Sequence, residues 1–119
     1  MRVLRLFLLS VLIMPLTVWS QSWPVKPLRI VVPYPAGGSG DIVARTIAAR
    51  LSDGLGQQVY VENRAGANGN IGTEVVARAA PDGYTLLLAT DIQFAISPAL
   101  GMKLPYDPWK DFEDRKSVV

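Results

Sequence analysis

"VVPYPAGGSGDIVARTIAARL", residues Val31 to Leu51, decides how the rest of the chain is read. An apolar β-branched run meets two prolines around a tyrosine, passes three glycines, and enters a helix-forming stretch at Asp41. Strand, glycine-rich turn and helix in that order describe the first βα unit of a parallel sheet. Leu28 to Val32 suits a strand buried on both faces. Val43, Ile47, Leu51 and Leu55 recur every four residues, which predicts one inward helix face, and Gly54 and Gly56 mark the helix end.

The pattern repeats downstream. "QVYVEN" alternates Val59 and Val61 with polar partners and predicts a second strand. "NRAGANGN" is a second glycine-rich loop, followed by the helix "NIGTEVVARAA" with Ile71, Val75 and Ala79 inward. "PDG" stops that helix in residues suited to a turn. "YTLLLAT" predicts a third buried strand, and "DIQFAISPAL" its exit loop and the start of a helix. The alternation signals an α/β fold with right-handed crossovers and a mainly parallel sheet.

The first 22 residues read differently. Arg2 and Arg5 precede the uncharged run "LFLLSVLIMPLTVW", and small residues follow in "SQSW". Charged start, short apolar middle and small-residue exit predict a cleaved signal peptide, with cleavage open between Ser20 and Ser22. The run falls short of the ~20 residues that a spanning helix needs, and Pro15 interrupts it. Export with cleavage of this leader is therefore expected. The 119-residue chain carries a formal charge of +2, but losing Arg2 and Arg5 leaves ten basic against ten acidic residues. That balance offers no basic footprint for nucleic acid.

The chain has no histidine and no cysteine. A thiol nucleophile, a disulfide framework, an ordinary zinc site and a Ser-His-Asp triad are all excluded. No cofactor is expected. The G-x-G-x-x-G fingerprint fails because Val43 stands where its third glycine belongs, and no Gly-Lys-Ser/Thr completes a P-loop.

What remains is the turns themselves. Ligands of open parallel sheets bind beyond the carboxyl ends of the strands. Three such ends lie at "PYPAGGSGD", "NRAGANGN" and "ATDIQFAIS". The first N–H groups of a helix lack internal partners and carry partial positive charge, so the glycine turns can seat a carboxylate or phosphate oxygen. Tight βα turns with no ligand are the alternative. Ser39 adds a hydroxyl donor, and Asp41 is expected to cap the helix by accepting a backbone N–H. Arg64 is read as a solvated charge before an anion partner. Asn68 and Asn70 can face a ligand or brace their own turn. Tyr34 can form a wall or pack on the next loop, and Asp91 can hold an ammonium or hydroxyl or cap the following helix.

The segments "KPLRIVVPYPAGGSGDIVAR", "GQQVYVENRAGANGNIGTEVVARAAPDGYTLLLAT" and "ISPAL…KLPYDPWKDF" resemble the substrate-binding proteins of tripartite tricarboxylate transporters, the Bug-type receptors. The similarity runs from about Trp23 to Phe112. It implies a periplasmic-binding-protein-like lobe of the type II, Venus-flytrap kind. Such a receptor traps a small organic carboxylate or amino acid and presents it to membrane transport subunits. It also implies a ligand seat at Tyr34, Gly37, Gly38, Ser39 and Asp41 in the first turn. The second loop contributes Gly66, Ala67 and Asn68, and the third Thr90, Asp91 and Gln93. Asp91 departs from the small or neutral residue usual there, which favours a ligand with a cationic or hydroxyl group.

The resemblance carries one lobe, so residues 23–113 are expected to form the N-terminal part of a first lobe that binds weakly or not at all by itself. Residues 114–119, "DRKSVV", match the translation of a common sequencing adapter and are expected to be a non-native tail. Two other readings stand beside the receptor: an exported α/β enzyme using a turn as an oxyanion site with Asp41 or Asp91 as base, and an inactive fragment.

Overall fold

The computed structural model describes residues 22–112. Nearly all of the expected leader, and the expected tail, lie outside the described residues.

The centre is β1 (Leu28–Val32), which pairs in parallel with β2 (Val59–Asn63) on one side and β3 (Thr85–Leu87) on the other. Leu28 stands opposite Val59, and Arg29 opposite Tyr60 and Thr85. A central strand has neighbours on both sides and helices on both faces, and β1 accordingly buries four of its five residues. The expected parallel pairing is present. β3 is shorter and less buried than "YTLLLAT" suggested. Its three residues are all half-buried, because among the described residues it pairs with β1 alone.

Between β1 and β2 runs α1 (Ser39–Leu55), which closes where Gly56 donates its N–H to Ser52 O at 3.1 Å. It covers one sheet face through Ala44 and Ala48, with Leu51 and Leu55 packed beside them against Leu28, Ile30, Val32 and Val59. This corrects the expected inner face. Val43 and Ile47 are 49% and 40% exposed, whereas Ala44 and Ala48 are 0% and 4% exposed. Small residues let the helix axis approach the sheet, and the bulkier branched residues are turned outward. Ser52 fixes the return to β2, since its Oγ donates to Ala48 O and accepts the Val59 N–H.

After β2 comes a three-residue turn (Ala67–Gly69) and α2 (Asn70–Ala77). Because β2 and β3 flank β1 on opposite sides, right-handed crossovers put α1 and α2 on opposite faces of the sheet. The buried residues of α2 are Gly72 and Thr73, while Ile71, expected inward, is 49% exposed. On this second face Arg29 donates to Glu62 Oε2 at 3.0 Å and to Thr85 Oγ1 at 3.4 Å, spanning all three strands.

Beyond β3 the chain coils through a π-helical segment (Ile92–Ile96) into a single α-turn (Ser97–Ala99). The segment "LPYDPWKDF" then returns to it. Tyr106 is buried, and Phe112 meets the rings of Phe94 and Tyr106 edge-on at centroid distances of 5.1 and 5.8 Å. Among the described residues no helix is long and apolar enough to cross a membrane.

Candidate functional site

The carboxyl ends of β1, β2 and β3 open on one end of the sheet, and hydrogen bonds tie their three loops together. The first loop climbs from Pro33 to Gly38, the N-cap of α1, whose extended φ of −77° and ψ of 171° precede the first helical turn. The first bond within the helix runs from Ile42 N–H to Gly38 O at 3.1 Å. The N–H groups of Ser39, Gly40 and Asp41 therefore point out of the helix end ahead of that ladder. Gly37, Gly38 and Ser39 are exposed.

Asp41 braces this turn from inside. Its Oδ2 accepts the Gly37 N–H and the Arg45 Nε–H, both at 2.9 Å, and its Oδ1 accepts from Asn63 Nδ2 at 3.0 Å. Asn63 also donates to Tyr34 O at 3.1 Å, so the last residue of β2 is pinned to the first loop. The expected helix cap is not formed: the N-cap is Gly38, with no side-chain bond to the helix end, and Asp41, the third helical residue, instead reaches back to the Gly37 N–H ahead of the helix. Arg45 first, then the Gly37 N–H, and more weakly Asn63, hold the Asp41 carboxyl down to about 2 against the raising effect of burial. The carboxylate is buried and its charge is spent on protein partners.

The second loop bends through positive φ at Gly66, Ala67, Asn68 and Gly69. Gly69 needs to be glycine: at φ +89° a Cβ there would run into the Gln93 amide nitrogen and lie 3.3 Å from Pro33 Cβ. The loop is thus pressed against both its neighbours. Asn68 uses its backbone carbonyl, not its side chain, to join the network.

Gln93 is the junction. It is completely buried, at 0% exposure. Its Nε2 donates to the Tyr34 hydroxyl and to Asn68 O, both at 2.9 Å, and its Oε1 accepts from Thr90 N–H and Thr90 Oγ1, both at 3.1 Å. Two donors and two acceptor positions are all a primary amide has. Because the Thr90 hydrogen goes to Gln93, the 2.8 Å bond between the Tyr34 and Thr90 hydroxyls has Tyr34 as donor. Tyr34 gives to Thr90, Thr90 to Gln93, and Gln93 back to Tyr34. Tyr106 supports the same point from below, donating to Asn70 Oδ1 at 2.9 Å and facing Gln93 O at 3.4 Å. Burial pushes the Tyr106 hydroxyl's pKa up.

Of the eleven residues expected at the seat, the structure joins Tyr34, Asn68, Thr90 and Gln93 directly and places Gly37 with Asp41 in a second cluster. Gly38, Ser39, Ala67 and Asp91 stand on the exposed rim, with Gly66 half-buried behind Ala67. The side chains of Ser39 and Asp91 make no hydrogen bond among the described residues, and Asp91 does not cap the segment that follows it. Arg64 is half-exposed and pairs with Glu62, in keeping with a surface charge. Asn63, Arg45 and Tyr106 were not anticipated. Asn63 was legible only as the last residue of a strand, and Tyr106 only as an aromatic between two prolines. An open groove of about 590 Å³ along Pro98, Met102, Leu104 and Trp109 lies on the returning segment, and none of the three loops lines it.

Residues 43–118 match the family described as "Tripartite tricarboxylate transporter family receptor". Protein BugT of Bordetella pertussis is 47% identical over 96 residues, covering 80% of this chain and 28% of its own. MatC of Rhodopseudomonas palustris, solved with bound malate, is 43% identical with a TM-score of 0.71, over 76% of this chain and 31% of its own. Rpa4515 of R. palustris, solved with adipate, is 45% identical with a TM-score of 0.57, over 58% of this chain and 23% of its own. The chain spans between 28% and 35% of the length of two curated relatives, BugT and a second Bordetella protein that is 45% identical over 118 residues. These likenesses make the α/β unit part of a periplasmic binding-protein lobe, as the sequence resemblance implied.

Proposed function

The chain belongs to the tripartite tricarboxylate transporter receptor family, and from that premise we propose that residues 23–113 supply one wall of a periplasmic receptor for a small organic carboxylate or amino acid. The receptor hands its ligand to the membrane subunits of the carrier. The observation that carries this reading is the outward-facing first turn of α1, with Gly37, Gly38 and Ser39 exposed beside loops tied into one frame. A ligand carboxylate accepts from the N–H groups of Ser39, Gly40 and Asp41, where the helix end is partially positive. Malate in MatC and adipate in Rpa4515 are ligands of that chemical class. Tyr34 forms a flat side of the seat. Asp91, exposed and unpaired among the described residues, adds an acceptor for a hydroxyl or ammonium on the ligand.

The enzyme reading loses one of its two bases. A carboxyl held near 2 with both oxygens occupied is a poor proton acceptor at neutral pH.

The test uses the amide signals of the chain itself, titrated with L-malate and with adipate by heteronuclear NMR. Gly38→Asp is the diagnostic variant. The Gly38 φ of −77° suits any residue, and an aspartate there caps the helix with its own carboxylate, filling the seat. Shifts at Ser39, Gly40 and Asp41 that appear in the wild type and vanish in Gly38→Asp support the reading. Identical shifts in both, or ligand-induced shifts in the wild type that bypass Ser39–Asp41, reject it.

A further inference from the structure

We propose that Gln93 is the positioning residue of this seat: it touches no ligand, and its buried amide sets the three loop mouths in register with one another. This rests on the receptor reading for its purpose, though not for its geometry.

The argument is a count of valences. Position 93 lies on the third loop, Tyr34 on the first and Asn68 on the second, and they are 59 and 25 residues from Gln93 in sequence. One amide bonds to all three loops, counting Thr90 on its own. Every donor and acceptor it owns is engaged, so none is left over for a solute. The three side-chain links among Tyr34, Thr90 and Gln93 run head to tail, an arrangement in which each bond polarises the next. Burial of Gln93 makes its amide intolerant of a lost partner, since a broken link there strands a desolvated polar group.

Only a group that both donates and accepts fits. The Tyr34 hydroxyl and the Asn68 carbonyl demand hydrogens from position 93, while Thr90 demands an acceptor twice over. Methionine has the length and no useful hydrogen. Glutamate has the shape, but as a carboxylate it turns an acceptor toward the Asn68 carbonyl. Protonation gives that carboxyl one donor and restores part of the ring.

Hydrogen exchange by NMR on the 119-residue chain reads this directly, with no ligand needed. The reporting amides are Gly69, bonded to Gly66 O, and Thr90, bonded to Gln93 Oε1; the controls are Leu28, bonded to Gln58 O, and Arg29, bonded to Tyr84 O. In Gln93→Glu at neutral pH, protection at Gly69 falls by about tenfold or more while Leu28 and Arg29 keep theirs; Gln93→Met, which offers no acceptor, loosens Thr90 as well. Lowering the pH returns protection at Gly69 in Gln93→Glu and does not in Gln93→Met. The groups bonded to that side chain are the Tyr34 and Thr90 hydroxyls, the Thr90 N–H and the Asn68 carbonyl, so the recovery reports its own protonation. Thr90→Val, at an exposed position, cuts the ring without loading the core and loosens Gly69 as well; it decides the matter should the position-93 variants not fold. Unchanged protection at Gly69 in Thr90→Val or Gln93→Glu overturns the proposal, as does an equal loss at Leu28 and Arg29. A chain that shows the predicted exchange pattern but takes up malate or adipate with shifts that bypass Ser39–Asp41 would indict the receptor reading alone.

Discussion

Gly69→Ala tests how tightly the three loops are pressed together, and Gly37→Ala supplies the control. Both glycines have positive φ, +84° at Gly37 and +89° at Gly69. Holding an alanine in that region costs roughly 1–2 kcal/mol at either site. Nothing lies within 4 Å of a Cβ built at Gly37, so its cost ends there. At Gly69 the same methyl lands on Gln93 Nε2, 3.2 Å from Gln93 Cδ and 3.3 Å from Pro33 Cβ. Overpacking adds about 1–3 kcal/mol. Pushing the Gln93 amide off Tyr34 and Asn68 leaves buried polar groups unpaired, for about another 1–3 kcal/mol. These terms overlap, so Gly69→Ala is expected to be about 2–4 kcal/mol less stable than Gly37→Ala. Urea unfolding followed by far-UV circular dichroism measures the difference as a shift in midpoint at constant slope. Coincident midpoints for the two variants would refute the reasoning, because the backbone term is common to both.

Asp41→Asn probes the brace of the first turn through pH. The folded carboxyl sits at about 2 against an ordinary 3.8, so its stabilising contribution is complete above the ordinary value and disappears as pH falls through the folded one. The wild type is therefore expected to outlast Asp41→Asn in urea at neutral pH and to lose that lead on acidification toward about 2; a lead independent of pH counts against the ion pair. Tyr106→Phe keeps the edge contact with Phe112 and deletes the bond to Asn70, for a loss of about 1 kcal/mol. The same variant should remove the highest-pH step from a tyrosine absorbance titration, and retention of that step would assign it elsewhere. Ala48→Leu overfills the α1–sheet contact and costs about 1–3 kcal/mol. Ile47→Ser, on the exposed side, stays within about 0.5 kcal/mol. Thermal midpoints ranking the two the other way round would restore the face that the sequence suggested.

The strands were legible because a buried parallel strand writes itself as a β-branched run, and β1 sits where "LRIVV" predicts. The helices were legible as helices but not in rotation. Four-residue spacing through Val43 and Ile47 is as regular as that through Ala44 and Ala48, and hydrophobicity alone prefers the bulkier pair. What decides is how close the axis comes to the sheet, a tertiary quantity. The loops were recognised as one site from the rule for strand ends. Their internal division of labour was not. Whether Gln93 meets a solute or its own neighbours depends on Tyr34 and Asn68, which lie far away along the chain. The same holds for Asp41, whose partners Arg45 and Asn63 come from the next helical turn and the next strand.

The arrangement around Gln93 separates foundation from façade. Interlocking atoms sit below, and Ser39, Ala67 and Asp91 crown them with side chains that support nothing beneath. On the receptor reading proposed above, replacing those three changes what the surface prefers to capture while the masonry stays put. Such a lobe lends itself to retargeting: a small set of substitutions along its crest could be sampled for new organic acids without first rescuing the fold.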